Sequence, residues 1–201
     1  AAGESAGGFR GVLVVAQVAL SLTLLVTGGL FVRSLDRARN VDLGFDPSGM
    51  LLARTEPGLQ GYDAAQRLLF YKAVRNLIVA LPDVGEAGWI SFPPLGITGD
   101  IAAVSPDERS QDPDWRPPIV SETDVSPEYF AAARVQLVEG RLFNERDDPD
   151  GRPVVIVNET LARQFWPNRT PVGRRLVVDG TPYEVVGVVR NGKYRNVGEA
   201  P

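Results

Sequence analysis

The sequence predicts an α+β protein in which one N-terminal transmembrane helix leads into a bilobed domain of β-α-β units. Three observations predict this fold. A long uncharged apolar run lies near the N-terminus, strand-like and helix-like segments alternate after it, and Pro- and Gly-rich breaks separate those segments. Short strands and helices that intermix in this way are typical of compact α+β domains.

The apolar run extends from Gly11 to Val32, with Arg10 and Arg33 at its borders. A helix needs about 20 apolar residues to cross the hydrocarbon core of a bilayer, and this run is long enough. A cleavable signal peptide has a shorter apolar region, of about 7–15 residues, and a small-residue cleavage site, which does not follow here. A buried core helix rarely keeps such a length without a charged residue. We therefore expect the helix to span a membrane.

The helix is expected to continue past the membrane surface as one rod to Arg39. Residues 33–39 (RSLDRAR) contain no Pro or Gly and have good helix propensity. Asn40 or Gly44 is the expected stop, and Pro47 is a firm barrier. Because a stiff rod can transmit movement, the two candidate mechanical-coupling residues are those at the start of the extension, Arg33 and Leu35.

The transmembrane run carries small and weakly polar residues, which let helices approach closely and hydrogen-bond across an interface. Three of them lie four residues apart, and the other three are expected on a neighbouring face of the helix. The candidate helix-packing residues are Ala19, Thr23 and Thr27, together with Gln17, Ser21 and Gly28. They favour a bundle of several transmembrane helices. The predicted organisation is a flank at 1–10, a transmembrane helix with its extension at 11–39, and a domain at 40–201 that is incomplete at its C-terminus.

Composition excludes several classes of function. The chain has no His and no Cys, and its formal net charge is −4. Ser-His-Asp triads, Cys nucleophiles and metal sites that need His or Cys ligands are therefore excluded. No nucleic-acid partner is expected, because no segment concentrates positive charge. Carboxylate chemistry and oxygen-ligated Mg²⁺ or Ca²⁺ remain open.

A first β-α-β unit is predicted after Pro47. Leu51–Thr55 is the first strand, a helix capped by Asp63 with Gln66 three residues on ends before Pro82, and residues 84–92 form the returning strand. The helix is expected to bury an apolar face and to turn its polar residues away from it. The apolar set is Phe70, Val74, Leu77, Ile78 and Leu81, and the polar set is Arg67, Lys72, Arg75 and Asn76.

Shorter elements are predicted in the rest of the chain. Strands are expected at 101–105, within the Pro-rich loop 93–118, and at 119–125, 154–157, 175–178 and 183–189, the last two forming a hairpin around Asp179-Gly180. Ser126-Pro127 is expected to start a short helix over 128–133, and Asn158 to cap a helix that runs to Trp166.

Two segments invite a catalytic interpretation. Residues 187–193 have the G-x-x-x-x-G-K frame of a phosphate loop, but Tyr194 replaces the required Ser or Thr and residues 195–201 form a poor helix, so we expect no nucleotide site. The densest acidic cluster lacks the spacing of a Ca²⁺ loop, and a solvated turn neutralised by Arg146 and Arg152 is favoured. Its members are Glu145, Asp147, Asp148 and Asp150.

An ordered series of sequence blocks resembles MacB/FtsX-like ABC transporter permeases. LVVAQVALSLTLLVTGGLFVRSL (13–35) resembles the first transmembrane helix of such a permease. The following blocks resemble its periplasmic core domain: NVDLGFDP (40–47), FYKAVRNLIVALPDV (70–84), VSPEYFAAARVQLVEGRLFNERD (125–147), VVIVNETLARQFWPNRTPVGRRL (154–176) and YEVVGVVRNGKYRNVGE (183–199). Ala133-Arg134-Val135 departs from the Gly-containing turn usual in the family, which concerns the local loop geometry.

The resemblance implies a permease subunit that is not itself an enzyme and needs no cofactor. A separate cytosolic ABC ATPase would drive movement of the extracytoplasmic domain in efflux, lipoprotein or envelope-related transport. Further permease helices or a second permease unit, and a periplasmic adaptor, are the other implied partners. The implied location is the bacterial inner (plasma) membrane, with residues 40–201 in the periplasm. A porter-like lobe would comprise Leu51–Leu142 and a smaller α/β lobe Phe143–Val189.

One feature opposes this orientation, and two alternative functions stay open. Three arginines follow the apolar run and one precedes it, which by the positive-inside rule would place the domain in the cytoplasm, although the rule weakens for long translocated domains. The first alternative is a single-span sensor or receptor with a ligand-binding ectodomain. The second is a membrane-anchored hydrolase that uses a carboxylate pair such as Asp147 with Glu159.

Overall fold

The computed structural model describes residues 4–39, 42–96, 99–147 and 151–194, with the side chains of the first helix described over 11–37. The chain divides into two compact units, Ala1–Val41 and Asp42–Pro201. The first contains one helix and the second a mixed α/β domain, so the predicted α+β class is confirmed.

Helix α1 is continuous from Glu4 to Arg39. It therefore begins before Gly11 and ends at the residue expected for the rod. Its most apolar 18 residues have a mean hydropathy of 2.1 and none of them is buried, so by length and composition Gly11–Arg37 could cross a membrane. The two glycines at 28 and 29 do not interrupt it, and a side chain at either position would meet no atom within 4 Å.

The predicted helix-packing residues do not share neighbouring faces of α1. Successive residues of an α-helix are rotated by about 100°. Thr23 therefore lies close in direction to Ala19 and Thr27, whereas Gln17, Ser21 and Gly28 point about 140° away from them on this geometry. The second set therefore does not lie on the face next to the first, because the spacings within each set say nothing about the angle between the two sets. Within the first set, the Thr23 hydroxyl donates to Ala19 O at 2.9 Å.

The predicted first β-α-β unit forms its helix but neither of its strands. Helix α2 spans Ala64–Val79 and begins with the predicted capping box, in which Asp63 and Gln66 exchange hydrogen bonds of 2.8 and 2.9 Å. Residues 51–56 have no regular structure, and residues 84–92 contribute only an isolated bridge, Ile90 with Val125. Strand propensity is insufficient here, since a strand exists only when a partner accepts its main-chain hydrogen bonds.

The face that α2 turns to the domain agrees only in part with the predicted one, since Phe70 and Val74 are half-buried but the other three apolar residues are exposed. Leu77, Ile78 and Leu81 are 73%, 37% and 55% exposed. Tyr71 instead stacks on Trp89 with ring centroids 5.8 Å apart. Arg75, expected to face away, donates to Ala87 O at 3.0 Å and pairs with Glu128 at 3.4 Å. The contact face is thus set by the aromatic and guanidinium groups, which the apolar spacing did not reveal.

A six-stranded sheet forms the centre of the domain. Its strands are β1 (Asp100–Pro106), β2 (Ile119–Glu122), β3 (Leu137–Gly140), β4 (Val154–Asn158), β5 (Arg175–Val178) and β6 (Thr181–Val189). They run in the order β2-β1-β5-β6-β3, and β4 also pairs with β6. The predicted hairpin is confirmed, with Val178 opposite Thr181 and with Asp179 and Gly180 at φ values of 45° and 84°. Such positive values are what a two-residue hairpin turn requires.

The sheet crosses the predicted boundary between the lobes at Leu142. Strand β1 pairs with β5, and β3, which the sequence did not predict, pairs with β6. Residues assigned mainly to different lobes, Leu51–Leu142 and Phe143–Val189, thus share one sheet, and the bilobed organisation is not confirmed. The pairing partners are far apart in the sequence. Strand β4 pairs with β6 in parallel, and helix α4 (Glu159–Phe165) lies between them in the chain.

The short helices are displaced from their predicted bounds. Helix α3 covers only Tyr129–Ala132, and the buried Ser126 does not cap it. Its hydroxyl instead accepts a hydrogen bond from Trp89 N at 3.1 Å, so that it joins two distant segments. Asn158 does cap α4, because its side-chain oxygen accepts from Leu161 N at 2.9 Å.

Two apolar clusters hold the domain together. The first lies between the sheet and α4 and includes Leu176, Val185 and Trp166. The second lies around α3 and the end of β6 and includes Tyr129, Phe130 and Val189. Gly187 lies in β6 between Val185 and Val188 of the first cluster, and a Cβ there would lie 2.2 Å from Arg141 O.

We predict that Gly187→Ala destabilises the domain by about 1–3 kcal/mol, because an added methyl group would force the β6 and Arg141 main chains apart. Gly85→Ala is the matched control, since nothing lies within 4 Å of a Cβ at that position, and it should change stability by no more than about 0.5 kcal/mol. Thermal unfolding followed by circular dichroism measures both. Equal melting temperatures for the two variants would contradict the packing described for β6.

Candidate coupling site

The first described residues after α1 form a segment that is fixed to the domain by several kinds of contact. We call Asp42–Asp46 the entry segment, because the chain passes through it from the helix into the domain. Residues 40–41 lie outside the described part of the chain. With Arg134, Gln136 and Arg190, the entry segment lines a cavity of about 180 Å³.

Main-chain hydrogen bonds hold both ends of the entry segment. Lys193 N donates to Leu43 O at 2.9 Å, and Asp46 N donates to Ala133 O at 3.1 Å. Between them Gly44 adopts a φ of 78° and approaches residue 191 so closely that a Cβ would lie 2.1 Å from Asn191 O. Only glycine satisfies both the positive φ and this distance without strain.

Two ion pairs add to these bonds. Arg190, the first residue after β6, contacts Asp42 at 2.8 Å, and its own main-chain N donates to Gln136 O at 2.9 Å. Arg134 pairs with Asp46. Arg134 has a φ of 52°, so it occupies the left-handed conformation that usually takes glycine. This turn therefore places a strained arginine where its side chain binds the entry segment.

An apolar contact completes the attachment. Phe45 packs on the second apolar cluster, which includes Tyr129 and Val189. Burial raises the pKa of Tyr129 above its ordinary value, and the adjacent Tyr194 raises it further. Burial likewise raises the pKa of Tyr194. Both phenols therefore stay protonated at neutral pH, and this side of the cluster carries no charge.

The carboxylate of Asp46 is held in its ionised form. The main-chain N–H of Ser48, which donates to Asp46 Oδ1 at 2.9 Å, lowers its pKa most, followed by the Ser48 hydroxyl and the Arg134 guanidinium, to about 2. The favourable contribution of Asp46 to folding is thus complete above its ordinary pKa of 3.8 and is lost as the pH falls through about 2. The contacts of the entry segment persist at any pH near neutrality.

The site residues predicted from the sequence all belong to helix α1. Arg33 and Leu35 lie in the continuous helix α1, as do the six candidate packing residues. Sequence reasoning missed the entry segment itself. The signal that could have found it is the block DLGFD, in which two aspartates flank a glycine and a phenylalanine.

The segments that invited a catalytic interpretation have structural roles. Gly187 lies inside β6 and pairs with β3 and β4, so it forms no phosphate loop. Tyr194 is held against Tyr129. Arg190 and Lys193 of the same G-x-x-x-x-G-K segment bind the entry segment, through Asp42 and Leu43 O respectively. Residues 195–201 lie outside the described part of the chain.

The acidic turn is closed by one arginine. Both guanidinium nitrogens of Arg141 donate to the Asp147 carboxylate, at 2.7 and 2.8 Å, and Asn144 N donates to it at 2.8 Å. Arg141 lowers the pKa of Asp147, so this carboxylate stays ionised and is unsuited to act as a general acid. The neutralising partner of Asp147 is thus Arg141, while any pairing of Arg146 or Arg152 with Asp148 or Asp150 lies outside the described residues.

The described acidic residues form no metal centre. No group of three or more carboxylates that could hold an ion occurs within 42–96, 99–147 and 151–194. Asp148 and Asp150, which belong to the predicted acidic cluster, lie outside these ranges. The Glu159 carboxylate accepts a hydrogen bond from Asn191 N at 3.4 Å and pairs with Arg163 at 3.9 Å.

We predict that Arg134→Gln raises the pKa of Asp46 above about 2 but leaves it below 3.8, because the larger contribution of Ser48 remains. A pH titration of the carboxyl carbon by NMR measures this value. Arg116→Gln, a change at an exposed arginine whose hydrogen bonds are to Pro113 O and Trp115 O, is the control and should leave it unchanged. An Asp46 pKa that does not move in Arg134→Gln would show that the ion pair does not form.

The sequence also matches a known protein family and curated proteins. The model of the MacB-like periplasmic core domain matches residues 12–200. The macrolide export ATP-binding/permease protein MacB of Nitrosomonas europaea is 36% identical over 55 residues, which are 27% of this chain and 8% of that protein. MacB of Aggregatibacter actinomycetemcomitans is 29% identical over 65 residues, which are 32% of this chain and 10% of that protein.

Among solved structures, the periplasmic region of MacB from Actinobacillus actinomycetemcomitans matches with a TM-score of 0.44 and 17% identity. The match covers 62% of this chain and 52% of that one. In the two sequence comparisons with MacB, the chain spans about a tenth of the length of the curated relative that it matches. Because the family model extends over nearly all of the sequence, the chain belongs to the MacB-like periplasmic core domain family of MacB/FtsX-like ABC transporter permeases.

Proposed function

We propose that this chain is part of a permease subunit in which ATP hydrolysis by a partner ATPase moves an extracytoplasmic domain. The entry segment is the observation that carries this proposal. A movement of the transmembrane helix reaches the domain only if the connection between them resists bending. Within the domain, the entry segment is held by main-chain hydrogen bonds, two ion pairs and a half-buried phenylalanine, so it resists bending far better than a free linker would.

The helix supports the same mechanism. Helix α1 has no break between Val32 and Arg39, where the chain would leave the hydrocarbon core. A helix that continues past the bilayer carries tilt or translation as one body, whereas a flexible joint dissipates it. Arg33 and Leu35 lie at the start of this extension and are the proposed mechanical-coupling residues.

The implied partners follow from the mechanism. A cytosolic ABC ATPase supplies the energy, and further permease helices or a second permease unit pack on α1 through the residues at 17, 19, 21, 23, 27 and 28. Since these residues point in two directions, we propose contact with a helix on each side. A periplasmic adaptor is a further proposed partner. The proposed location is the inner (plasma) membrane, with residues 40–201 in the periplasm and transport in efflux, lipoprotein or envelope-related processes.

We further propose that the chain is not itself an enzyme and requires no cofactor. The carboxylates considered for hydrolysis already have partners, Arg141 for Asp147 and Asn191 N for Glu159. A single-span receptor remains the principal alternative. It would need no rigid connection between the helix and the domain, and disruption of the entry segment would leave its ligand binding intact.

The first test concerns topology. We predict that a periplasm-active reporter, such as alkaline phosphatase, is active when it is fused after Tyr194, while a reporter that is active only in the cytoplasm is silent at the same site. The family orientation requires this outcome despite the arginines that follow the apolar run. Activity of the cytoplasmic reporter alone would overturn the extracytoplasmic assignment and the proposed mechanism with it.

The second test breaks the entry segment without touching the helix. Gly44→Ala adds a methyl group that overlaps Asn191 O, whereas Gly49→Ala has the same kind of positive φ, 72°, but no atom within 4 Å. Both variants bear about 1–2 kcal/mol of backbone strain. Only Gly44→Ala should also reduce, by severalfold, the ATP-dependent fluorescence change of a dye attached to Asp114→Cys in the reconstituted transporter. Equal signals from the two glycine variants would rule out the entry segment as the coupling element.

The third test breaks the helix. Leu35→Pro removes a main-chain donor and clashes with the preceding turn, at a cost of about 3 kcal/mol, whereas Leu35→Ala keeps the helix intact. We predict that Leu35→Pro abolishes the ATP-dependent signal while membrane insertion and ATPase binding persist, and that Leu35→Ala retains it. An undiminished signal in Leu35→Pro would exclude the continuous helix as the mechanical link.

A further inference from the structure

A second cavity lies away from the entry segment, between the end of α4 and the turn that follows β1. It measures about 290 Å³. Its apolar lining comes from Pro106, Phe165, Trp166 and Pro167, and its charged lining from Glu108, Arg109 and Arg169. This volume is at the lower end of the range for small-molecule pockets, so the cavity accommodates a group about the size of one aromatic ring with a short substituent.

Packed aromatic side chains hold the walls of this cavity in place. Trp115 donates its indole N–H to Ser105 Oγ at 2.9 Å and meets Phe165 edge to face, with ring centroids 6.3 Å apart. Phe165 in turn meets Trp166 at 5.8 Å. The guanidinium carbon of Arg109 lies 4.7 Å from the centre of the Trp115 ring. The cation–π contact positions Arg109 at the cavity while leaving its N–H donors free.

The side chains that line the cavity include hydrogen-bond donors that have no carboxylate partner. In the described part of the chain, Arg109 and Arg169 have no carboxylate partner. The Trp166 indole nitrogen is buried and has no acceptor among the described residues, although buried donors are nearly always bonded. Among the described residues that line the cavity, Glu108 carries the one carboxylate, and it forms a salt bridge with Arg174 at 3.3 Å.

We propose that this cavity binds a carboxylate carried on a flat apolar group. Two exposed guanidinium groups without a carboxylate partner border an apolar lining, and a carboxylate is the planar acceptor that guanidinium groups bind best. The proline and aromatic lining then covers the apolar body of the ligand. The proposal goes beyond the coupling function and does not depend on it, since the cavity shares no residue with the entry segment.

A carboxylate of this kind has two possible sources, a free aromatic acid or the carboxyl-terminal residue of a polypeptide. Two probes separate them. 4-Fluorophenylacetate represents the free acid, and N-acetyl-4-fluorophenylalanine represents the end of a polypeptide chain. Tighter binding of the acetylated amino acid would identify a polypeptide as the source, and tighter binding of the smaller acid would identify a free metabolite. Either order is consistent with the proposed chemistry.

The test is a fluorine NMR titration of the detergent-solubilised chain with each acid and with its uncharged counterpart. 2-(4-Fluorophenyl)ethanol and N-acetyl-4-fluorophenylalanine amide are the counterparts. We expect each acid to bind at least fivefold more tightly than its uncharged counterpart. Equal affinities would overturn the proposal, because the cavity would then recognise only the apolar ring, and so would the absence of binding of either acid at millimolar concentration.

Arginine variants connect the binding to the cavity. Arg109→Gln and Arg169→Gln should each weaken binding of the acids about threefold or more, and Arg169→Lys should restore part of the loss at that position. Binding of the uncharged alcohol should stay unchanged, which shows that the variants are folded. Arg163→Gln is the matched control, since Arg163 lies on α4 but does not line the cavity. An equal loss in Arg163→Gln would show a general effect of charge and would overturn the assigned site.

Discussion

The main-chain pairing of β6 is the constraint on which most of the domain depends. Its first residues pair with β5, its last with β3, and its middle and end also with β4, so one strand aligns its hairpin neighbour and two strands from more distant parts of the sequence. Residues along most of its length are buried, because both faces of a central strand lie against apolar layers. Residues 190–193, which follow β6 directly, are the ones that hold the entry segment.

This arrangement links stability to the proposed mechanism. The entry segment is attached to the end of the most strongly paired strand and to the end of α3, rather than to a loop that could yield. A force applied to Asp42–Asp46 therefore acts on the sheet as a whole. Arg134 adopts a strained main-chain conformation at the position from which its side chain pairs with Asp46.

The distribution of apolar surface divides the domain into unlike parts. Around β6 and α4 the large apolar residues are buried, whereas Leu51, Leu59, Leu69 and Leu77 around α2 are exposed. The sheet side of the domain thus supplies the stable core.

The sequence by itself determined the features that depend on local physics. An uncharged apolar run with no Pro makes a long helix whatever its surroundings, Asp63 and Asn158 cap the helices that follow them, and Asp179-Gly180 closes a hairpin because only its neighbours need to pair. The order of motifs along the chain was enough to indicate the family.

The tertiary structure alone decided what depends on distant partners. Residues 51–55 have the composition of a strand but no partner to pair with, while Leu137–Gly140 becomes a strand because β6 lies beside it. The faces of α1 and α2 followed from rotation angle and aromatic packing rather than from simple spacing. The entry segment could not be predicted for the same reason: Asp42 and Arg190 are far apart in the sequence, and only the folded chain brings their charges within 2.8 Å.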